Sequence, residues 1–266
     1  SSGILWDVNS GKGLYRTGGQ RGFMTSMAIS KPFNIMLTAA RDMTIAIRNL
    51  EGKIIRVIKG HSDSVNFVII RDKMAYSASD NGEIIFWSLP AMQRIKYFRF
   101  KTNGIDAKSL SPDGNTLIAG SVDGKIRVMV VKKMRLVKEF SAHNGYVFSL
   151  YFINNNRFVS GSSTGELSLW NLKDLTLIKK NPSAGIGILS LVVHQNKIYA
   201  GTKAGKLVVY DINNLNSIKS FSISDKGLNA LTVSPVTGIM AAGDDAGVIR
   251  IIQPETGAIL KTMGNP

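Results

Sequence analysis

Apolar and polar positions alternate with a period of two along nearly the whole chain. Ser64-Val-Asn-Phe-Val-Ile-Ile70, Asn115-Thr-Leu-Ile-Ala-Gly120 and Gly205-Lys-Leu-Val-Val-Tyr210 are typical, with Gly, Asn, Asp or Pro between such stretches. Successive side chains of a strand point to opposite faces, so the pattern predicts short antiparallel strands joined by tight turns. No segment sustains a 3.6-residue period with caps. Helices are therefore expected to be nearly absent and the class to be all-β.

The strands recur as a unit: an apolar strand, a turn, a strand ending in small residues, a Gly-containing turn, and a β-rich stretch closed by Trp or a substitute. The closing position falls at Trp6, Arg48, Trp87, Met129, Trp170, Tyr210 and Ile252, at spacings of 42, 39, 42, 41, 40 and 42 residues. Five of these residues come five positions after a glycine, namely Gly82, Gly124, Gly165, Gly205 and Gly247. Met43 takes that place before Arg48, and Ser1 before Trp6. Four short strands in about 41 residues is the period of a propeller blade, whose sheets stack face to face around a central channel.

Gly60-His61, Ser77-Ala-Ser-Asp-Asn-Gly82, the turn Ser111-Pro-Asp-Gly114 and Trp6-Asp7 resemble the WD-repeat family, and the resemblance covers nearly the whole chain. It implies a single β-propeller domain over residues 1–266. From Gly22 onward the chain supplies six complete units of strands a to d. Residues 4–8 and 12–17 read as a c and a d strand before them, and residues 259–263 as the last d strand. The expectation is a seven-bladed WD-repeat β-propeller with one incomplete blade: six complete four-stranded repeats plus an N-terminal c–d half. Such a chain is either part of a longer one or completed by a partner, since an open edge invites pairing.

The resemblance further implies buried tetrads of His, Ser or Thr, Asp and Trp that tie the loop before strand a to strands b and c. The second unit offers His61, Ser79 and Trp87, with Asn81 in the place of Asp; the fourth offers His143, Ser162 and Trp170, with Thr164 there. The third keeps Ser121 and Asp123 but has Met129. These histidines are accounted for structurally, because a buried imidazole needs partners for its nitrogens. His194 is expected in a solvated turn between strands a and b. Gly185-Ile-Gly187 is expected to be a turn, since it lacks the strand, helix and acidic residue of a dinucleotide site.

Thirty-three Lys and Arg against 18 Asp and Glu give a net charge of +15, and there is no cysteine. Disulfides and thiolate sites are thereby excluded, and with three histidines at no metal-ligand spacing neither metal nor cofactor is expected. No apolar run of about 18 residues marks a membrane span, and the first residues lack a signal-peptide layout. An intracellular protein is expected, cytoplasmic or nuclear. The positive charge raises affinity for acidic surfaces, although codon bias toward Lys, Ile and Asn produces it equally well.

Two surfaces are candidates for binding. By resemblance, partners meet the loops before strand a and between strands b and c; here these carry Phe23, Arg41, Asp80, Asn81, Tyr146, Phe148, Lys203, Asn229, Asp244 and Asp245. The charge itself concentrates on predicted d strands: Arg56 and Lys59; Arg94, Lys96, Arg99 and Lys101; Lys132, Lys133, Arg135 and Lys138. Cations there block unwanted strand pairing, or else hold RNA or an acidic protein, with Tyr97 and Phe98 as stacking candidates. The leading expectation is a non-catalytic protein-interaction scaffold, a subunit of a larger assembly. The alternatives are a ribonucleoprotein-associated propeller binding RNA through the basic rim, and a peptide or modified-residue reader at the channel mouth using Asp80, Asp244 and Asp245. Enzymatic activity and a small-molecule substrate are not expected.

Overall fold

A computed structural model describes residues 3–182 and 185–264; Ser1, which the repeat places in the glycine position, lies outside them. Among the described residues every regular element is a strand and none is a helix. The chain divides into two compact units, residues 1–106 and 107–266. The first holds a two-stranded sheet, Gly3–Trp6 with Gly13–Thr17, followed by four-stranded sheets over residues 24–59 and 65–99. Four-stranded sheets over residues 105–141, 147–181, 188–222 and 228–263 follow, the first of them beginning at the boundary. All six are meanders in which chain order equals spatial order, a to d. This is the all-β strand inventory expected of a β-propeller of four-stranded repeats, with six complete units and a strand pair ahead of them. The predicted strands at 4–8 and 12–17 are shorter than expected, at Gly3–Trp6 and Gly13–Thr17.

Strands b and c are the core. Ile35–Ala40 and Thr44–Arg48 are buried throughout, which explains why they read as apolar runs where the a strands alternate. Within the first unit Leu37, Ile45 and Ile47 pack on Val65, Val68, Ala75 and Trp87 of the next sheet. Within the second, Val159, Leu167 and Leu169 pack on Ile188, Leu191 and Ile198, and Tyr199, Leu207 and Val209 on Leu228, Met240 and Ile252. Each buried aliphatic side chain contributes about 1.5–3 kcal/mol.

The small residues that end the b strands set the spacing between sheets. A Cβ on Gly161 would lie 2.6 Å from Ile188 Cγ2, and one on Gly201 2.8 Å from the Leu228 carbonyl oxygen. Serines on the a strands then clip neighbours together: Ser149 Oγ donates to the Ile188 carbonyl at 3.1 Å and Ser190 Oγ to the Leu228 carbonyl at 2.8 Å. The c–d ladders carry a bulge next to the closing position, between Ile47 and Arg48, Val128 and Met129, Leu169 and Trp170, Val209 and Tyr210, and Ile251 and Ile252. The N-terminal pair has its bulge between Leu5 and Trp6, which identifies it as a c–d pair by register.

Candidate functional site

In the second sheet, Trp87 Nε1 donates to Ser77 Oγ at 2.8 Å, and the same hydroxyl oxygen lies 2.6 Å from His61 Nε2. His61 Nδ1 faces Glu83 Oε2 at 3.4 Å. With the proton on Nδ1, the Ser77 hydroxyl donates to Nε2, while Nδ1 faces the Glu83 carboxylate without a formed hydrogen bond. The fourth sheet repeats this arrangement: Trp170 Nε1 donates to Ser160 Oγ at 2.8 Å, His143 Nε2 lies 2.7 Å from that oxygen, and His143 Nδ1 lies 3.1 Å from Glu166 Oε1. Lys180 Nζ caps Glu166 at 2.6 Å.

The expected tetrads are therefore corrected in two members each. Ser79 and Ser162 sit one pleat further along, on the same face as Ser77 and Ser160 but beyond reach of the imidazoles. Ser79 Oγ instead donates to Asn81 Oδ1 at 2.6 Å, and Ser162 Oγ lies 2.9 Å from Thr164 Oγ1, so both brace the b–c turn. Asn81 Nδ2 reaches Ser62 Oγ at 2.6 Å rather than His61. The acid comes from Glu83 and Glu166, two positions later, whose extra methylene bridges the distance. Burial pushes the His61 imidazole down to about 4, against the opposing pull of Glu83, and His143 is lowered for the same reason. Burial raises Glu166, but hydrogen bonds from Lys180 and His143 outweigh it and hold the carboxyl below its usual range.

In the first and third sheets, which lack the histidine–tryptophan pair, buried arginines hold polar networks instead. Arg48, wholly buried in the Trp position, donates from Nε to Thr38 Oγ1 at 2.9 Å and from Nη1 to the carbonyls of Gly18 and Gly52 at 2.9 and 2.8 Å. Gln20 stands in for the histidine, accepting from Thr38 Oγ1 at 2.7 Å and donating to Thr44 Oγ1 at 2.9 Å. In the third sheet Arg127 pairs with Asp123 and Glu139, each at 2.8 Å, and donates to Ser121 Oγ. Sequence reasoning missed Ser77, Ser160 and Thr38, yet each lies ten residues before the closing position.

The loop positions are brought together in pairs, because a backbone hydrogen bond joins the loop before strand a to the b–c turn in most sheets. In the first unit Arg41 N donates to Phe23 O at 2.9 Å and Asp80 N to Ser64 O at 3.0 Å. In the second, Ser163 N donates to Tyr146 O at 2.8 Å, Lys203 N to Gly187 O at 2.9 Å, and Asp245 N to Gly227 O at 3.0 Å. Phe23 is 70% exposed and Tyr146 50%, the latter packed edge-on against Phe148 at 6.0 Å. Asn66 Nδ2 donates to both Asp80 and Asp106, at 2.8 and 2.6 Å. Asn229 Nδ2 donates to Asp245 Oδ1. Asp244 does not belong to this surface: it is buried, paired with Arg250 at 2.5 Å, and accepts from Ser224 Oγ at 2.7 Å. Burial raises its carboxyl, but these bonds and the amides of Val248 and Ala246 prevail and bring it to about 2.

The basic residues lie on or beside the d strands Gln93–Arg99 and Arg135–Ser141, each the outermost strand of its sheet, and all eight of Arg94, Lys96, Arg99, Lys101, Lys132, Lys133, Arg135 and Lys138 are exposed. Of the stacking candidates, Tyr97 has Arg94 5.4 Å from its ring centroid and stays 54% exposed, and Phe98 has Lys96 5.4 Å from its own. The c–d bulge adds a regularity not read from the sequence. In every four-stranded sheet it turns one aliphatic residue out of the ladder with a cation after it: Ile55-Arg56, Ile95-Lys96, Val137-Lys138, Ile178-Lys179, Ile218-Lys219 and Leu260-Lys261. Their exposures run from 45% to 62%.

Gly161-Ser-Ser-Thr-Gly165 spells the sequence of a nucleophile elbow, but it is a turn between two strands, not between a strand and a helix. Ser163 Oγ accepts from Tyr146 N at 3.0 Å and thus serves the loop tie. His194 ends strand Ile188–His194, and its Nε2 is buried next to Gly238 instead of being solvated in a turn. Among the described residues no three His, Asp or Glu side chains converge as metal ligands would.

Residues 52–88, 96–128 and 134–171 match the family model "WD domain, G-beta repeat". Each matched stretch opens at or near a d strand and closes on the c strand of the next sheet, so the sequence repeat runs one strand ahead of the sheet. Pre-mRNA-processing factor 19 homolog 2 of Arabidopsis thaliana is 26% identical over 192 residues, covering 69% of this chain and 37% of that protein. WD repeat-containing protein 55 homolog of Dictyostelium discoideum is 27% identical over 183 residues, 65% of this chain and 42% of its own length. Autophagy-related protein 16 of Arabidopsis thaliana is 24% identical over 178 residues, 65% and 35% respectively. The chain spans less than half the length of each of these relatives.

Proposed function

We propose that this chain, a member of the WD-repeat family, is a non-catalytic protein-interaction module that meets its partner through the paired loops. The observation that carries this reading is Tyr146: half exposed, braced by Phe148, and fixed at both backbone atoms by Ser163. A rigid aromatic side chain loses little entropy on contact, and such residues dominate the energetics of protein interfaces. Phe23 and Arg41, joined through their backbones, offer a second anchor in the first unit. The buried His61 and His143 are engaged by Ser77 and Ser160 and face Glu83 and Glu166, which supports a structural role for them over that of a general base.

Relatives named for pre-mRNA processing and for autophagy carry the same repeat, which fits a frame whose loops are adapted to different partners. We place the module inside the cell, as part of a larger assembly. Proteins cross-linked to the intact chain identify the partner, and Tyr146→Ala and Arg41→Ala are expected to weaken its binding about tenfold or more without changing the melting curve. Unchanged binding in both variants would overturn the reading.

A further inference from the structure

The first unit has a groove of about 360 Å³ lined by Ile35, Ile47, Ile55, Arg56, Pro90 and Ala91, within the range of about 300–1,000 Å³ common for ligand sites. Ile35 and Ile47 are buried and form its floor. Its walls are Pro90 and Ile55, the latter 62% exposed. The bulge creates the site: Ile47 pairs with Arg56 and Arg48 with Ile54, leaving Ile55 as the extra residue aimed out of the ladder. Arg56 is held at the lip by donating from Nη2 to the Ala91 carbonyl, which engages one of the guanidinium's five N–H groups.

Charge specifies what fits. Residues 52–62 contain three Lys and Arg and residues 90–103 contain four, with no Asp or Glu in either stretch. An aliphatic floor under a cationic lip matches a chain that alternates apolar and acidic side chains. Nucleic acid would find isoleucine and proline in the groove and no aromatic ring to stack on. Strand Ile54–Lys59 is the outermost of its sheet, so its far backbone edge is available to an added strand.

We propose that this groove binds an extended acidic protein segment, which inserts an aliphatic side chain between Ile55 and Pro90 and sets a carboxylate on Arg56. The groove shares no lining residue with the loop positions, and the proposal stands or falls independently of them. The probe is a labelled synthetic peptide of alternating leucine and aspartate, titrated into the intact chain by fluorescence anisotropy. A leucine–lysine peptide and a uridine-rich RNA serve as comparisons. Ile55→Glu and Arg56→Glu are each expected to weaken the acidic peptide about tenfold or more, whereas Tyr146→Ala and Ile178→Glu, the same bulge position in the fourth sheet, leave it unchanged. Melting curves check the fold, and if Ile55→Glu is unfolded, Ile55→Ser is read in its place. Equal binding of the lysine peptide, equal loss in Ile178→Glu, or RNA binding that competes with the peptide and survives Ile55→Glu would each overturn the proposal.

Discussion

Ser77 carries more of the second sheet than its size suggests, because one hydroxyl serves both His61 and Trp87. Ser77→Ala leaves two buried ring nitrogens without partners and is expected to cost roughly 2–4 kcal/mol, read by urea unfolding; Ser79→Ala, at the edge of a turn, is expected to cost about 1 kcal/mol. His61 also links stability to pH. Its folded value of about 4 lies below the usual 6.5, so the unfolded chain binds the proton more readily. The stabilisation is complete above pH 6.5 and is lost as pH falls from there toward 4, by roughly 3 kcal/mol at about 1.4 kcal/mol per unit. Asp244, lowered from 3.8 to about 2, adds a separate loss only in that more acidic window. Unfolding midpoints measured between pH 7 and 4 are expected to drop, and to drop less in His61→Gln; a flat profile in the parent chain would refute the assignment. The histidine and tryptophan of each network were legible in the sequence. The serine was not, because Ser77 and Ser79 share one face of the strand and only the register with Trp87 chooses between them.

At the level of strands and turns, the glycine five residues before the closing position is explained by backbone conformation: Gly82, Gly124, Gly165, Gly205 and Gly247 all have φ between 73° and 86°. Met43 occupies the same position at φ 68°, where a side chain costs about 1–2 kcal/mol. Met43→Gly is therefore expected to raise the unfolding midpoint, by about 1 kcal/mol, and a lowered midpoint would contradict the turn assignment. Gly161→Val, which drives a branched side chain into Ile188, is expected to cost about 3 kcal/mol in the same assay. The strands and the repeat could be read from period-two patterning and spacing alone. The bulge could not, since it depends on which residues pair across the c–d ladder, and with it the meaning of the aliphatic–cation pairs stayed hidden. Asp244 was misplaced for a related reason: its neighbour Asp245 is exposed, and only the ion pair with Arg250 shows that the first of the two points inward.

For the whole chain, a net charge of +15 raises association with any polyanion, and that background is screened by salt. Contacts through Tyr146 and the loop pairs are not expected to share this sensitivity, because buried aromatic surface is not screened. The decisive measurement is mass spectrometry of what cross-links to the intact chain in cells, repeated at low and high salt and with Tyr146→Ala. A protein interaction module predicts a partner that withstands high salt, cross-links near Tyr146 or Lys203, and is lost in Tyr146→Ala. Recovery of nucleic acid alone, released by salt or nuclease and indifferent to Tyr146→Ala, would contradict it.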